Sequence, residues 1–177
     1  MADLTSAIEQ AVREIDSHVA RGGWDGPVRV FALVRSQVLA ADPELAGHLP
    51  SDVSLQAAQR PESLFSVEQE GLPPAASVGD LLAQLAWPET VDGAAVSLER
   101  IAMPPEAEAE IPEDPAEAEA FASADPRRQD IRMVVGVMRD GSSWCTIRLR
   151  SHDEDADVLG SPDLVPELVQ ALRATFL

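Results

Sequence analysis

A pair of apolar segments joined by a short turn constrains the fold of this chain more than any other feature. Residues 131–138 and 144–150 are predominantly apolar, and Arg139-Asp140-Gly141-Ser142 connects them. Asp-Gly is typical of a two-residue hairpin turn, because glycine tolerates the positive backbone angles that this turn requires. The sequence therefore predicts an antiparallel hairpin whose register places Gly136 opposite Cys145.

Both faces of the predicted hairpin are substantially apolar, whereas a sheet that is wetted on one side alternates more cleanly between apolar and polar residues. Something is therefore expected to cover the second face. A second copy of the chain would do so and give a homodimer, and the alternative is that helices of the same chain cover both faces. The expected partner surface consists of Met133, Val135, Val137, Trp144, Arg148 and Arg150.

Periodicity and turn signals place further elements around the hairpin. Helices are predicted at residues 4–19, 77–87 and 163–176, and strands at residues 28–34, 64–67 and 94–103. Asp42-Pro43 is typical of another helix start, and residues 50–61 are predicted to be a loop. The element order α-β-β-α-β-β-β-α predicts an α+β fold, with an antiparallel sheet of about five strands and three main helices.

The chain is expected to form one domain over residues 1–177, with an insertion at about residues 104–126. This segment carries eight acidic residues, five prolines and no basic residue. Such a composition offers little apolar surface to bury, so we expect a mobile loop with at most one helical turn at residues 115–121.

The charge balance excludes several classes of partner. Thirteen basic and 31 acidic residues give a formal net charge of −18, and all of the basic residues are arginine. Nucleic acid and anionic membrane surfaces would repel such a chain. The absence of lysine also removes Schiff-base chemistry and phosphate-binding P-loops. With one cysteine, no signal-peptide pattern and no apolar run of about 18 residues, a cytoplasmic protein is expected.

The candidate catalytic and metal-binding residues each have a plainer interpretation. Cys145 lies on an apolar face of the hairpin, so we expect a buried structural thiol and not a nucleophile. The run from His152 to Asp157 begins like a calcium loop, but Val158 and Leu164 occupy its glycine and glutamate positions. We therefore expect a solvated acidic turn, and no catalytic, cofactor-binding or metal-binding residue is assigned.

The tryptophans and the arginines of the hairpin leave two interpretations open. Trp24, Trp87 and Trp144 each lie at or beside a turn, where they either anchor the turn to the core or form an aromatic surface for a partner. Arg132, Arg148 and Arg150 either bind an anion or acidic segment, or pair with the chain's own carboxylates.

Four strings of the sequence together resemble a family of acidic, uncharacterised actinobacterial proteins of about this length. They are Gly22-Gly23-Trp24-Asp25-Gly26-Pro27, Trp87-Pro88-Glu89-Thr90-Val91-Asp92-Gly93, Asp140-Gly141-Ser142-Ser143-Trp144-Cys145 and Pro162-Asp163-Leu164-Val165. The likeness spans nearly the whole chain apart from residues 50–61 and 104–126. The family has no assigned activity, so the resemblance implies no catalytic residue. Three helices around five strands are also similar to the type III secretion chaperone-like fold, although the element order differs.

These observations favour a non-enzymatic cytoplasmic protein that acts through protein–protein contacts, as a chaperone or adaptor does, and that forms a homodimer. Its protein partner is not identified by the sequence, and no cofactor is expected. One alternative is an enzyme or a small-ligand-binding protein with a pocket near residues 131–150. Another is an acidic antagonist of basic proteins.

Overall fold

The computed structural model describes residues 4–41 and 63–176, which form a six-stranded antiparallel sheet with helices against both faces. The strands are β1 (Arg29–Arg35), β2 (Leu64–Glu68), β3 (Gly93–Ala102), β4 (Gln129–Met138), β5 (Ser143–Leu149) and β6 (Leu159–Ser161). The helices are α1 (Leu4–Arg21), α2 (Ser36–Ala41), α3 (Val78–Ala83), α4 (Pro105–Glu108), α5 (Pro115–Ala124) and α6 (Pro166–Ala174), and a 3₁₀ turn spans Asp155–Asp157.

The α+β class is confirmed, and the strands and helices predicted from the sequence occur in the predicted order. The sheet has one strand more than expected, because β6 forms between the predicted acidic turn, which ends at Asp157, and the predicted last helix, which starts at residue 163. The predicted helix start at Asp42 and the predicted loop at residues 50–61 lie outside the described residues.

The strand order in the sheet is β2-β1-β3-β4-β5-β6. Strands β3 and β4 form the longest pair, which runs from Gly93 opposite Met138 to Ala102 opposite Gln129. The N-terminal strand β1 lies between β2 and β3, so among the described residues β2 and β6 are the two edges of the sheet. Of these edges, β2 is the longer, with five residues against three.

The predicted hairpin register is wrong by one residue. Gly136 lies opposite Trp144, and Cys145 lies opposite Val135. The turn has three residues between Met138 and Ser142, and Gly141 occupies the left-handed region at φ 97°. A three-residue turn with glycine in that position is the second common hairpin geometry, and it uses the same Asp-Gly pair. Because side chains alternate along a strand, this change moves β5 side chains to the other face.

Helix α1 covers one face of the sheet. Its apolar stripe packs on Phe31, Leu33, Val134 and Met138, and consists of Ile8, Ala11, Val12, Ile15 and Val19. The helix lies close to β4 because residue 136 is glycine: a Cβ there would stand 2.6 Å from Val12 Cγ2. This close approach brings the polar side of α1 within reach of the end of the hairpin.

Helices α3 and α6 cover the opposite face. Leu81 and Leu82 of α3 and Leu168, Val169 and Leu172 of α6 pack in one cluster with the inner residues of β3, β4 and β5. Ser77 caps α3 as expected for a serine before a helix, accepting a hydrogen bond from the Asp80 backbone N–H at 3.1 Å. Helix α6 begins at Pro166, three residues after the predicted start of this helix at residue 163.

The proline-rich insertion is more regular than predicted. It contains α4 and the ten-residue α5, which begins at Pro115 behind an Asp114 cap. Helix α5 has no buried residue, whereas Ala107 of α4 is fully buried. Arg127 and Arg128 also bind Glu110 and the Ser123 carbonyl oxygen, so the segment is tied to the fold at several points, and its mobility stays a prediction.

Candidate functional site

Two arginines are buried side by side at the end of the hairpin. Arg132 on β4 and Arg148 on β5 are register partners, and each is only 1% exposed. They lie on the α1 side of the sheet, in line with Val134 and Gly136. Charged side chains are almost never this deeply buried unless they are paired, so the partners of each guanidinium decide its role.

Arg148 is surrounded by three carboxylates. It donates to Asp16 Oδ2 at 2.7 Å and to Asp153 Oδ1 at 3.2 Å, and it also binds Asp155. Burial disfavours the charged guanidinium, but the hydrogen bonds with Asp16 and Asp155 outweigh it and raise the pKa of Arg148. Asp16 is itself 2% exposed, so this ion pair joins α1 to β5 inside the protein.

Arg132 has far fewer partners than Arg148. Its guanidinium stacks on the Trp24 ring at 4.4 Å from the ring centroid, and Nη2 donates to the Gly23 carbonyl oxygen. Its Nε and Nη1 atoms are buried and have no hydrogen-bond partner among the described residues. Burial lowers the pKa of Arg132, and the nearby negative charges of Glu99 and Asp16 oppose that shift. Arg132 is therefore a buried cation with unused donors.

The turn between α1 and β1 closes over these arginines. Trp24 Nε1 donates to Asp153 Oδ2 at 2.9 Å, and Asp25 takes a left-handed backbone conformation at φ 67°. Glu99 accepts hydrogen bonds from the backbone N–H groups of Asp25 and Gly26, both at 2.8 Å. Arg150 forks onto the Asp25 carboxylate at 3.0 and 3.1 Å. Contacts from Glu99 on β3, Arg132 on β4 and Arg150 after β5 therefore hold the turn in place.

A cavity of about 270 Å³ lies beside Arg132, and we call it the Arg132 cavity. The α1–β1 turn forms one wall of the cavity and contributes three glycines to it. Glu99 and Arg29 form the polar side of the cavity. The lining residues are Val19, Gly22, Gly23, Gly26, Pro27, Arg29, Ser97, Leu98, Glu99 and Arg132.

The expected partner surface on the hairpin does not form a surface. Met133, Val135 and Val137 lie under α6 and are at most 5% exposed. The shifted register places Trp144 and Arg148 on the opposite face, under α1, and Arg150 follows the end of β5. Helices of the same chain cover both faces, which was the alternative.

The tryptophans do not form a shared aromatic surface either. Trp24 lies against Arg132, whereas Trp144 packs with the α1 cluster and has the Arg13 guanidinium 5.7 Å from its ring centroid. Trp87 belongs to the other face, where its Nε1 donates to Thr175 at 2.9 Å and its ring stacks on Phe176 at 6.1 Å between centroids. Each tryptophan anchors a different part of the fold.

Cys145 and the acidic run from His152 to Asp157, the other candidate residues, make contacts that stabilise the fold. Cys145 is fully buried, and burial raises the pKa of its thiol, so little nucleophilic thiolate is present at neutral pH. Asp153 and Asp155, from the acidic run, bind Arg148. Residues 4–41 and 63–176 contain no group of three or more His, Cys, Asp or Glu side chains arranged to hold a metal ion.

An apolar groove, which we call the β2 groove, lies on the α3 and α6 side of the sheet beside the edge strand β2. It encloses about 490 Å³. Its floor is Ala32, Val34 and Val67, and its walls are residues 71–73 and 85–88. Val67, which lies opposite Ala32 in the sheet, is 47% exposed. Periodicity did not predict this groove, because residues 71–73 and 85–88 in its walls lie outside the strands and helices.

A family model described as PPA1309-like protein matches residues 8–177, a range that includes the buried arginines, the Arg132 cavity and the β2 groove. The chain belongs to the PPA1309-like family. No curated protein and no solved structure matches it. Membership of the PPA1309-like family therefore supplies no activity, and no matched structure supports the likeness to type III secretion chaperones. No helix within the described part of the chain is long and apolar enough to cross a membrane.

Proposed function

We propose that this PPA1309-like protein acts by binding an extended segment of another protein in the β2 groove, as an adaptor or chaperone does, and not by catalysis. The observation that carries the proposal is the partly exposed Val67 on β2, an edge strand among the described residues, beside an apolar groove of about 490 Å³. Edge strands bind extended peptides by adding a strand, and a neighbouring groove then selects the side chains.

The charge of the chain indicates the chemistry of the partner. With a net charge of −18, and with Glu70 on the rim of the groove, an acidic segment would be repelled. We therefore propose a segment in which apolar residues alternate with arginine or lysine. Its apolar side chains would lie on the groove floor, and its basic side chains would face the acidic surface.

The test is fluorescence polarisation with two labelled octapeptides, one of alternating valine and arginine and one of alternating valine and glutamate. We expect the basic peptide to bind with micromolar affinity and the acidic peptide to bind at least about tenfold more weakly. Val67→Arg should weaken the binding of the basic peptide, because it removes apolar surface and adds a like charge. Leu159→Arg is the matched control, because Leu159 is 57% exposed on the other edge strand.

Three outcomes would overturn the proposal. Equal binding of both peptides, or of neither, contradicts the argument from groove and charge. A loss of binding in Leu159→Arg that equals the loss in Val67→Arg would place the contact elsewhere. A light-scattering mass of a dimer that Val67→Arg converts to a monomer would show that a second copy occupies the groove. That result would support the expected homodimer by a different surface.

A further inference from the structure

The Arg132 cavity contains a charge that the fold does not neutralise by direct contact. Arg148 and Arg150 both form ion pairs with carboxylates, whereas no ion pair joins Arg132 to any described residue. Of its donor atoms, Nη2 binds a carbonyl oxygen while Nε and Nη1 are unused. An unpaired buried cation costs free energy, and a ligand that accepts these hydrogen bonds would recover it.

The geometry points to a binding site for a small monocarboxylate in the Arg132 cavity, with the Arg132 guanidinium as its counter-ion. Trp24 covers one face of the guanidinium and leaves its rim for an acceptor. A planar carboxylate would accept from Nε or Nη1 together with the second N–H of Nη2. The apolar part of the ligand would lie against Val19, Pro27 and Leu98, which also line the cavity.

Size and charge restrict the ligand further. About 270 Å³ accommodates a short organic acid but not a nucleotide. Arg29, the second cation that lines the cavity, is paired with Glu68, and Arg148 is paired with three carboxylates. Glu99 stands at the cavity, and Asp16 and Asp153 also act on Arg132, so a group with two or more negative charges would meet repulsion. A ligand with a single negative charge is attracted by Arg132 and is repelled least by the nearby carboxylates. We therefore favour a monocarboxylate over phosphate.

Entry to the site requires movement of the cavity wall. The unused Nε and Nη1 atoms are shielded from solvent, and the α1–β1 turn forms the wall next to them. Gly22 and Gly26 would each accept a Cβ at ordinary contact distance, so the wall has space beside these two residues, although Glu99 holds the backbone of the turn through two hydrogen bonds. A small displacement of this turn would admit the carboxylate.

The experiment is a titration of the full chain with sodium butyrate. Calorimetry measures the binding, and NMR monitors the signal of the Trp24 indole N–H. Sodium chloride controls for ionic strength, and sodium phosphate tests the class of anion. We expect butyrate to bind and to shift the Trp24 signal, and phosphate to bind more weakly. Arg132→Met should weaken butyrate binding by about tenfold or more, because a charge-assisted hydrogen-bond pair is lost.

If Arg132→Met does not fold, the variants Gly26→Leu and Glu99→Gln keep the test decisive, with Gly79→Leu as a control. Gly26→Leu fills the cavity and should abolish butyrate binding, whereas Gly79→Leu, at an exposed glycine outside the cavity, should not. Glu99→Gln removes the opposing negative charge and should strengthen butyrate binding by several-fold. A purely structural role for Arg132 would not produce that increase.

The inference is independent of peptide binding in the β2 groove, so Val67→Arg should leave butyrate binding unchanged. No response to butyrate beyond that to chloride would overturn it and would leave ordered water as the partner of Arg132. Butyrate binding that persists in Gly26→Leu, or phosphate binding as strong as butyrate binding, would also overturn it.

Discussion

Replacing Arg148 with methionine tests whether the buried ion pair between α1 and β5 holds the fold together. Methionine fills a similar volume but removes the cation from Asp16, which is only 2% exposed. Breaking a buried pair in this way costs about 3–5 kcal/mol, because one charge stays buried and uncompensated. Since domains of this size are stable by about 5–15 kcal/mol, a large share of the total stability would be lost.

The assay is urea denaturation followed by circular dichroism, together with a thermal melt. For a domain of 150–250 residues, each 1 kcal/mol shifts the thermal midpoint by about 2–4 °C, so Arg148→Met should lower it by about 6–20 °C. Arg13→Met is the control, because Arg13 pairs with Glu9 on the surface with side chains 45% and 36% exposed. Its loss should be less than about 1 kcal/mol.

A double variant separates the cost of the unpaired charge from that of lost packing. Asp16→Leu combined with Arg148→Met removes both charges, and it should be more stable than the sum of the two single losses predicts. If Arg148→Met fails to fold, Asp16→Asn alone should still fold, because Asp153 and Asp155 remain as partners of Arg148. An Arg148→Met variant as stable as Arg13→Met would refute the argument.

Three further outcomes are expected. Gly136→Ala should destabilise the protein by about 1–3 kcal/mol in urea, because the new methyl would overlap Val12 Cγ2, and an unchanged midpoint would contradict the close packing of α1. The hydrogen bond with Arg148 lowers the pKa of Asp155, so Asp155 stabilises the fold above its usual pKa, and this contribution is lost as the pH falls through its lowered value. Asp155→Asn should therefore have a lower urea midpoint than the wild type at pH 7, with the difference shrinking at pH 3, and a difference that grows in acid would contradict this sign. Limited proteolysis should first cleave within residues 104–126. Replacing these residues by a short Gly-Ser turn should move the thermal midpoint by only a few degrees, since Ala102 and Gln129 are already opposite each other. A loss of stability above about 3 kcal/mol would show that Ala107 anchors the segment to the core.

The element order could be predicted because periodicity reports which side of each element is buried. The hairpin faces could not, because Asp140-Gly141 fits both a two-residue and a three-residue turn. Local backbone preference does not separate these turns, and the packing of α1 against Gly136 is a contact that the hairpin alone does not contain. A difference of one residue was enough to place Trp144 on the wrong face.

The buried charges show a second limit of sequence reasoning. Arg132 and Arg148 were expected either to bind an anion or acidic segment or to pair with the chain's own carboxylates, and such ion pairs are common surface features. One signal was present: Asp16 follows Ile15 within the apolar stripe of α1, so it lies at the edge of the face that packs on the sheet. A carboxylate in that position indicates a buried cation opposite, but only the folded structure identifies the cation as Arg148.

The pairing of α1 with the far end of the chain also affects how the protein is made. Asp16 and Arg148 are 132 residues apart, so during translation α1 leaves the ribosome well before the strands that cover it. At about 5–20 residues per second, α1 has β1 beside it at once but waits roughly 7–26 s for β5. A nascent chain halted before β4 and β5 would therefore leave part of this apolar stripe exposed.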